Sequence, residues 1–217
     1  MNTEQARFNM VEQQIRTWEV LDPDVLDLLF RVRREDFVPP EYRNLAFADV
    51  EIPLGRGAAM WTPKIEARVL QELAIRPGER VLEIGTGSGY FAALLAGRGA
   101  RVTSVEIDAA LADSARAQLA AHGMRDVVVE VGDGARGFGG GDDYDAIVLT
   151  GSTPLLDEAF FAQLAPGGRV FAIVGDAPAM QACLVRWTAP GARVARTLFE
   201  TVVAPLVNAP APSRFEF

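Results

Sequence analysis

Histidine and cysteine each occur once in this chain of 217 residues, as His122 and Cys183. One thiol cannot close an internal disulfide, so stability has to come from a packed core, and a reducing compartment suits the sequence. Cys183 reads as a buried apolar residue, and no metal site is expected. Long hydrophobic runs are missing too. Nothing approaches the roughly 20 apolar residues of a membrane-spanning helix, and Met1 to Arg16 is polar and charged. Basic residues are outnumbered, with 21 Lys and Arg against 29 Asp and Glu and a formal net charge of -8. Phosphate affinity is built mainly from Lys and Arg, so this balance speaks against non-specific binding to nucleic acid or to an anionic membrane. The expectation is a cytoplasmic protein. With 49% hydrophobic and 23% charged residues, the chain can bury a sizeable core as one domain with an extension.

What is present falls into two unequal parts. Up to about Thr62, helical patterns are interrupted by Pro23, Pro39, Pro40 and Pro53, which predicts a helical preface. From Pro63 the rhythm changes. Lys64 to Ile75 reads as an amphipathic helix with proline at its first turn, and Arg80 to Ile84 as a short apolar strand. Helices are predicted at Phe91 to Ala96, Ala109 to Ala121 and Leu155 to Leu164. Strands are predicted at Arg101 to Glu106, Asp126 to Val131, Asp145 to Leu149 and Arg169 to Val174. Such alternation builds a parallel sheet covered on both faces. Two further strand-like runs, Gln181 to Trp187 and Val194 to Val203, are joined by Ala189-Pro190-Gly191-Ala192. So short a link predicts an antiparallel hairpin at the sheet edge, because a parallel crossover needs a dozen or more residues.

The chemistry-bearing stretch is Val81-Leu82-Glu83-Ile84-Gly85-Thr86-Gly87-Ser88-Gly89-Tyr90, where the first strand of the alternating part ends. In open parallel sheets, ligands bind at the carboxyl ends of strands near the switch in strand order. Gly85, Gly87 and Gly89 allow a tight turn and a close approach of a cofactor to the backbone. The spacing is G-x-G-x-G and not the G-x-G-x-x-G of dinucleotide binding, which disfavours a nicotinamide oxidoreductase. The next strand ends at Glu106, followed by Ile107, and an acid there can accept hydrogen bonds from both hydroxyls of a ribose. Gly132-Asp133-Gly134 follows the third strand and can present Asp133 to an adenine amino group. Glycine and aspartate are also ordinary turn formers. His122 precedes Gly123 at a predicted helix end and reads as a cap.

In order, these elements resemble the class I S-adenosylmethionine-dependent methyltransferases, across Pro63 to Val203. The resemblance implies an α/β, Rossmann-like fold: a seven-stranded mixed sheet with an antiparallel last strand, here behind a helical N-terminal preface. It implies S-adenosylmethionine as cofactor, with S-adenosylhomocysteine as product, held by Glu83, Gly85, Thr86, Gly87, Ser88, Gly89, Glu106, Ile107, Asp133 and Gly134. The preface narrows the likeness. Met10-Val11-Glu12-Gln13-Gln14-Ile15-Arg16 and Val32-Arg33-Arg34-Glu35-Asp36-Phe37-Val38-Pro39 look like the N-terminal signature of protein-L-isoaspartate O-methyltransferases. Asp145 to Thr150 and Phe199 to Leu206 resemble later strands of the same family. The division implied is residues 1–62 as extension and acceptor loop packed on the core, and 63–217 as the methyltransferase domain.

That family's activity implies methyl transfer to the free α-carboxylate of an L-isoaspartyl residue in damaged protein, after which the ester collapses to a succinimide. An ionised carboxylate is already a nucleophile at neutral pH, so alignment is the main task and no strong base is needed. The chain departs from the family in one place. The family's loop resembles G-x-T-I-S-x-P, and here it is Gly57-Ala58-Ala59-Met60-Trp61-Thr62-Pro63, so the Thr and Ser positions hold Ala59 and Trp61. Trp61 and Thr62 are therefore the candidate acceptor-loop residues, with an indole where a small hydroxyl is expected. A methyltransferase for another acceptor and a non-catalytic S-adenosylmethionine-binding module stay open beside the isoaspartyl reading.

Overall fold

The preface is a string of short helical pieces, each stopped by a cap or a proline. In the computed structural model, which describes residues 2–139, 143–189 and 192–211, α1 spans Thr3–Asn9, with the Asn2 side chain accepting from the Gln5 N–H. α2 spans Pro23–Arg31; Asp22 caps it by accepting from the Asp24 N–H, and proline stands in its first turn. Between them lie a wide helical turn at Met10–Ile15 and a tight one at Arg16–Trp18. A small hairpin follows, β1 Ile52–Gly55 and β2 Ala58–Met60, paired antiparallel. Its tip carries Gly55, Arg56 and Gly57, all at positive φ. Helix α3, Pro63–Leu73, comes next and stops where Ala74 turns left-handed. It starts one residue before and ends two residues before the stretch its apolar period predicted.

The alternating part then folds as expected: β3 Arg80–Ile84, α4 Tyr90–Gly97, β4 Arg101–Glu106, α5 Ala109–Ala121, β5 Val127–Val131, β6 Tyr144–Thr153, α6 Glu158–Ala162, β7 Leu164–Asp176, β8 Ala179–Ala189 and β9 Ala192–Glu200. Among the described residues the last seven strands form one sheet in the order β5-β4-β3-β6-β7-β8-β9. β3 pairs in parallel with β4 on one side and β6 on the other, so the order of strands reverses at β3 and β6. A crevice opens beyond the carboxyl ends of such a pair, because the connections on either side leave in opposite directions. β3 is buried from Val81 to Ile84, as a strand covered on both faces must be. The last two pairings, β7 with β8 and β8 with β9, are antiparallel. The predicted turn at Pro190-Gly191 lies outside the described residues.

Several expectations fail at their boundaries; β6 runs on past Leu149 to Thr153 and β7 begins at Leu164 and not at Arg169. The helix predicted at Leu155 to Leu164 is only α6, because Asp157 caps it by accepting from the Ala159 N–H, while Leu164 has joined β7 opposite Tyr144. The last strand ends at Glu200 and not at Val203, because the chain there leaves the sheet. Ser152 of β6 donates its N–H to the Ala204 carbonyl at 3.0 Å and accepts from the Leu206 N–H at 2.9 Å, so residues 201–206 fold back over the crevice. One continuous core joins preface to sheet, running through Ile15, Leu28 and Phe37 to Trp61, Leu70 and Phe171.

Candidate active site

The strand-to-helix elbow after β3 makes the floor of the site. Gly85 sits at φ 98, Gly87 at 53 and Gly89 at 82. At Gly85 the need for glycine is double: the φ is left-handed, and a Cβ would collide with Thr150 Oγ1. The Gly85 N–H donates to the Val105 carbonyl at 2.8 Å, and Thr150 Oγ1 donates to the Gly85 and Ile84 carbonyls at 2.6 and 2.9 Å. The elbow is thus tied to β4 on one side and β6 on the other.

Beneath the elbow runs a buried hydrogen-bond chain. Ser104 Oγ donates to Glu83 Oε2 at 2.5 Å and lies 2.6 Å from Thr86 Oγ1. Burial pushes the Glu83 carboxyl up to about 8, with the Ser104 hydrogen bond pulling it down and Glu106 pushing it further up. Glu83, fully buried, is not on the cleft wall, where the resemblance had placed it among the cofactor-binding residues. A strand residue one position before Ile84 points below the sheet's ligand side, where it braces the loop.

Beyond the elbow lies a cleft open to solvent, at the carboxyl ends of β3 and β4. Of the predicted binding residues, Gly85, Gly87, Glu106, Ile107, Asp133 and Gly134 come together on its walls. Glu106 accepts from the Gly87 N–H at 2.9 Å and from the Asp108 N–H at 3.1 Å, which fixes its carboxylate at the rim of the glycine loop. Asp133 accepts from the Ala135 N–H at 2.9 Å, and its other oxygen accepts from the Asn208 amide at 2.8 Å. Thr86 and Ser88 line a smaller adjoining compartment. Gly89 lines neither; it is where α4 meets α5, and a Cβ there would press on Leu119 and Ala115.

On the acceptor side, Trp61 is 5% exposed. Its ring meets Phe91 and Phe171 edge-on at 5.3 and 6.0 Å, and the residue lines both compartments. Ala58 and Ala59 extend that wall. Thr62 does not reach it: the residue before α3 has its carbonyl accepting from the Ile65 and Glu66 N–H groups and its hydroxyl buried. As the first residue outside the helix, it gives its carbonyl to the helix start, while its hydroxyl makes no capping bond. Behind the loop, the buried Arg34 guanidinium donates to the Trp61 carbonyl at 2.6 Å, to the Ala46 carbonyl at 2.8 Å and to Glu66 at 2.8 Å. His122 is remote from both compartments; it caps α5 and faces Asp36 at 3.3 Å.

The structure adds residues that pattern reading missed. Arg56, at the β1–β2 tip, reaches Asp108 at 2.9 Å across the cleft mouth. Asp108 also caps α5, and the Leu111 N–H, then Arg56, hold its carboxyl below the usual range. An acid before a run of alanines was a legible capping signal. Thr150, inside β6, is a polar residue directly after the apolar run Ala146 to Leu149. Val203 to Val207, which roof the cleft, left no local signal, since only the fold-back brings them there. Among the described residues, no group of three or more His, Cys, Asp or Glu side chains could hold a metal ion, and no helix is long and apolar enough to cross a membrane.

Comparison with known proteins gives a family for this arrangement. The family described as Protein-L-isoaspartate(D-aspartate) O-methyltransferase matches residues 5–210. A protein-L-isoaspartate O-methyltransferase of Methylorubrum populi is 45% identical over 173 residues, covering 80% of this chain and 81% of the relative. One from Aeropyrum pernix is 40% identical over 209 residues, covering 94% and 80%. Among solved structures, a protein-L-isoaspartate O-methyltransferase superposes with a TM-score of 0.79 at 24% identity, over 96% of this chain and 67% of the other. A chain from Plasmodium falciparum solved in complex with S-adenosyl-L-homocysteine superposes with a TM-score of 0.76 at 16% identity, over 95% and 99%. These two superpositions show that the fold is shared.

Proposed function

The chain belongs to the protein-L-isoaspartate(D-aspartate) O-methyltransferase family, and from that premise we propose that it methylates the free carboxylate of L-isoaspartyl residues in damaged proteins, using S-adenosylmethionine. The observation that carries this reading is one wall of the cleft, on which the glycine loop, Glu106 and Asp133 converge at the reversal of strand order. The residues present fit the cofactor. Glu106 is a carboxylate held in place by two backbone N–H groups, suited to accept from paired ribose hydroxyls. Ile84, Ile107 and Leu111 offer apolar surface to a flat ring, with Asp133 and Gly134 at its edge. Gly85, Gly87 and Ser88 leave room beside the start of α4 for the amino-acid end.

When bound, S-adenosylmethionine supplies a sulfonium methyl that a carboxylate oxygen takes as the carbon–sulfur bond breaks, the electron pair going to sulfur, to leave a neutral ester and a thioether. No proton moves, so the chain needs no base, and the placement of its one histidine outside the cleft is consistent with that. What the residues must do is hold two partners in line. The ties from Thr150 and Val105 to the elbow keep the floor rigid, and the Arg34 bond to the Trp61 carbonyl sets the facing wall. Residues 203–207 roof the cleft.

The test is methyl transfer from labelled S-adenosylmethionine to an isoaspartyl peptide and to its normal aspartyl twin. The isoaspartyl peptide should be esterified at least about tenfold faster, the discrimination expected from roughly one positioned hydrogen-bond donor. Equal rates, or no transfer to either peptide while the cofactor still binds, would overturn the acceptor.

A further inference from the structure

Asp133 is tied down twice, and only one of the ties belongs to its own loop. The first is local: one carboxylate oxygen accepts from the Ala135 N–H at 2.9 Å, two residues on, the ordinary bond of an aspartate in a turn. The second crosses the fold. The other oxygen accepts from the Asn208 side-chain amide at 2.8 Å, 75 residues away in the chain. The turn does not need this second bond. Asp133 is exposed on the cleft wall, where a carboxylate held by one bond alone keeps much of its rotamer freedom. With both oxygens held the group has one orientation, and each oxygen keeps a further lone pair for a donor in the cleft.

Asn208 is brought to this contact by its backbone. It stands at φ 62, in a turn that the Ala209 N–H closes on the Leu206 carbonyl at 3.2 Å. Asparagine is one of the few residues besides glycine that enter the left-handed region readily. Just upstream, the two Ser152 backbone bonds to Ala204 and Leu206 clamp the same segment to β6. The amide therefore reaches Asp133 from the end of a fixed roof. A carboxylate held in this way discriminates between bases: it accepts from an amino group and repels a carbonyl oxygen at the same place. On the proposed function, the base at this edge of the cleft is adenine, whose exocyclic amino group is such a donor. We propose that Asn208 is a positioning residue that sets specificity for the base of the cofactor, by holding the Asp133 carboxylate from the roof. The inference rests on the proposed function for the identity of the cofactor and not for the Asn208 to Asp133 bond itself.

The test compares, by calorimetry on the full chain, S-adenosylhomocysteine with S-inosylhomocysteine, which bears oxygen in place of the amino group. Wild type should prefer the adenosyl ligand by about tenfold or more, the worth of one bond to a charged group. Asn208→Gly removes the amide and keeps the left-handed backbone. It should cut that preference by about fivefold or more, through weaker adenosyl binding with inosyl binding little changed. Asn208→Asp tolerates the same backbone but sets a second carboxylate against Asp133, and it should lose at least as much. In methyl transfer, Asn208→Gly should raise KM for S-adenosylmethionine by a similar factor and leave kcat at saturating cofactor within about twofold, whereas a merely structural roof would weaken both ligands alike. An unchanged preference in Asn208→Gly overturns the proposal, as does a wild type that binds the two ligands equally. Should the variants fold poorly, hydrogen exchange of the wild type decides: the adenosyl ligand at saturation should protect amides of residues 203–209 more than the inosyl one, and equal protection overturns the proposal. Failure of the proposed acceptor shows separately, as absence of ester from a wild type that still binds S-adenosylhomocysteine, and leaves the calorimetry in force.

Discussion

Glu83 shows how far one side chain's role depends on which face of its strand it occupies. Beside the glycine loop in sequence, it lies under the loop in space, fully buried and bonded to Ser104. Its carboxyl stays protonated in the fold up to about pH 8, chiefly through burial. The sign of the pH effect follows. A folded-state value raised above the unfolded one contributes stability that is complete below the unfolded value, near 4.5, and is lost as pH rises through about 8. Glu83→Gln cannot titrate, so its thermal midpoint relative to wild type should rise between pH 6 and pH 9. The expected gain is several degrees, at roughly 2–4 °C per kcal/mol for a chain of this size. Midpoints that run parallel over that range would show that Glu83 is ionised in the folded protein.

At the scale of elements, the elbow is the point where strand, loop and helix must agree. β3 is pinned between β4 and β6, α4 must begin five residues after Gly85, and Thr150 fills the space beside Gly85. Gly85→Ala puts a methyl group against the Thr150 hydroxyl at a left-handed φ. Strain at such a position costs about 1–3 kcal/mol, and overpacking adds a similar amount. Unfolding by urea should report a loss of about 3 kcal/mol, partly recovered when Thr150→Ala is added. A single alanine with wild-type stability would mean that the elbow relaxes freely.

For the whole molecule, the question is what makes the preface part of the enzyme. Arg34 answers much of it: 1% exposed, it joins the preface to Glu66 of α3 and to the Trp61 carbonyl. Burial raises the Glu66 carboxyl to about 7, and the Arg34 guanidinium pulls it back toward the charged form. Removing one partner of a buried pair costs about 3–5 kcal/mol, whereas replacing both with apolar residues is often tolerated. Arg34→Met should therefore lower the unfolding free energy by about 3 kcal/mol, and Arg34→Met with Glu66→Leu should recover most of it. Additive losses in denaturant melts would show that the two residues do not act as a pair.

The alternation of apolar runs and glycine turns was enough to place β3, β4 and α5 at their observed bounds, because those elements are read from local period and local caps. Gly85, Gly87, Glu106 and Asp133 were legible for the same reason: each lies at a strand end or within three residues of one, and a parallel sheet collects its strand ends on one side. Tertiary structure decided the rest. Glu83 and Thr62 were turned away from the cleft by the face of a strand and the start of a helix, one residue's difference in each case. Trp61 became at once core and cavity wall only when Phe91 and Phe171, from distant elements, closed on it. The roof from Val203 to Val207 exists because a chain leaving the sheet found Ser152, some fifty residues earlier. Contacts of that range depend on where the backbone returns, and no local period in the sequence records it.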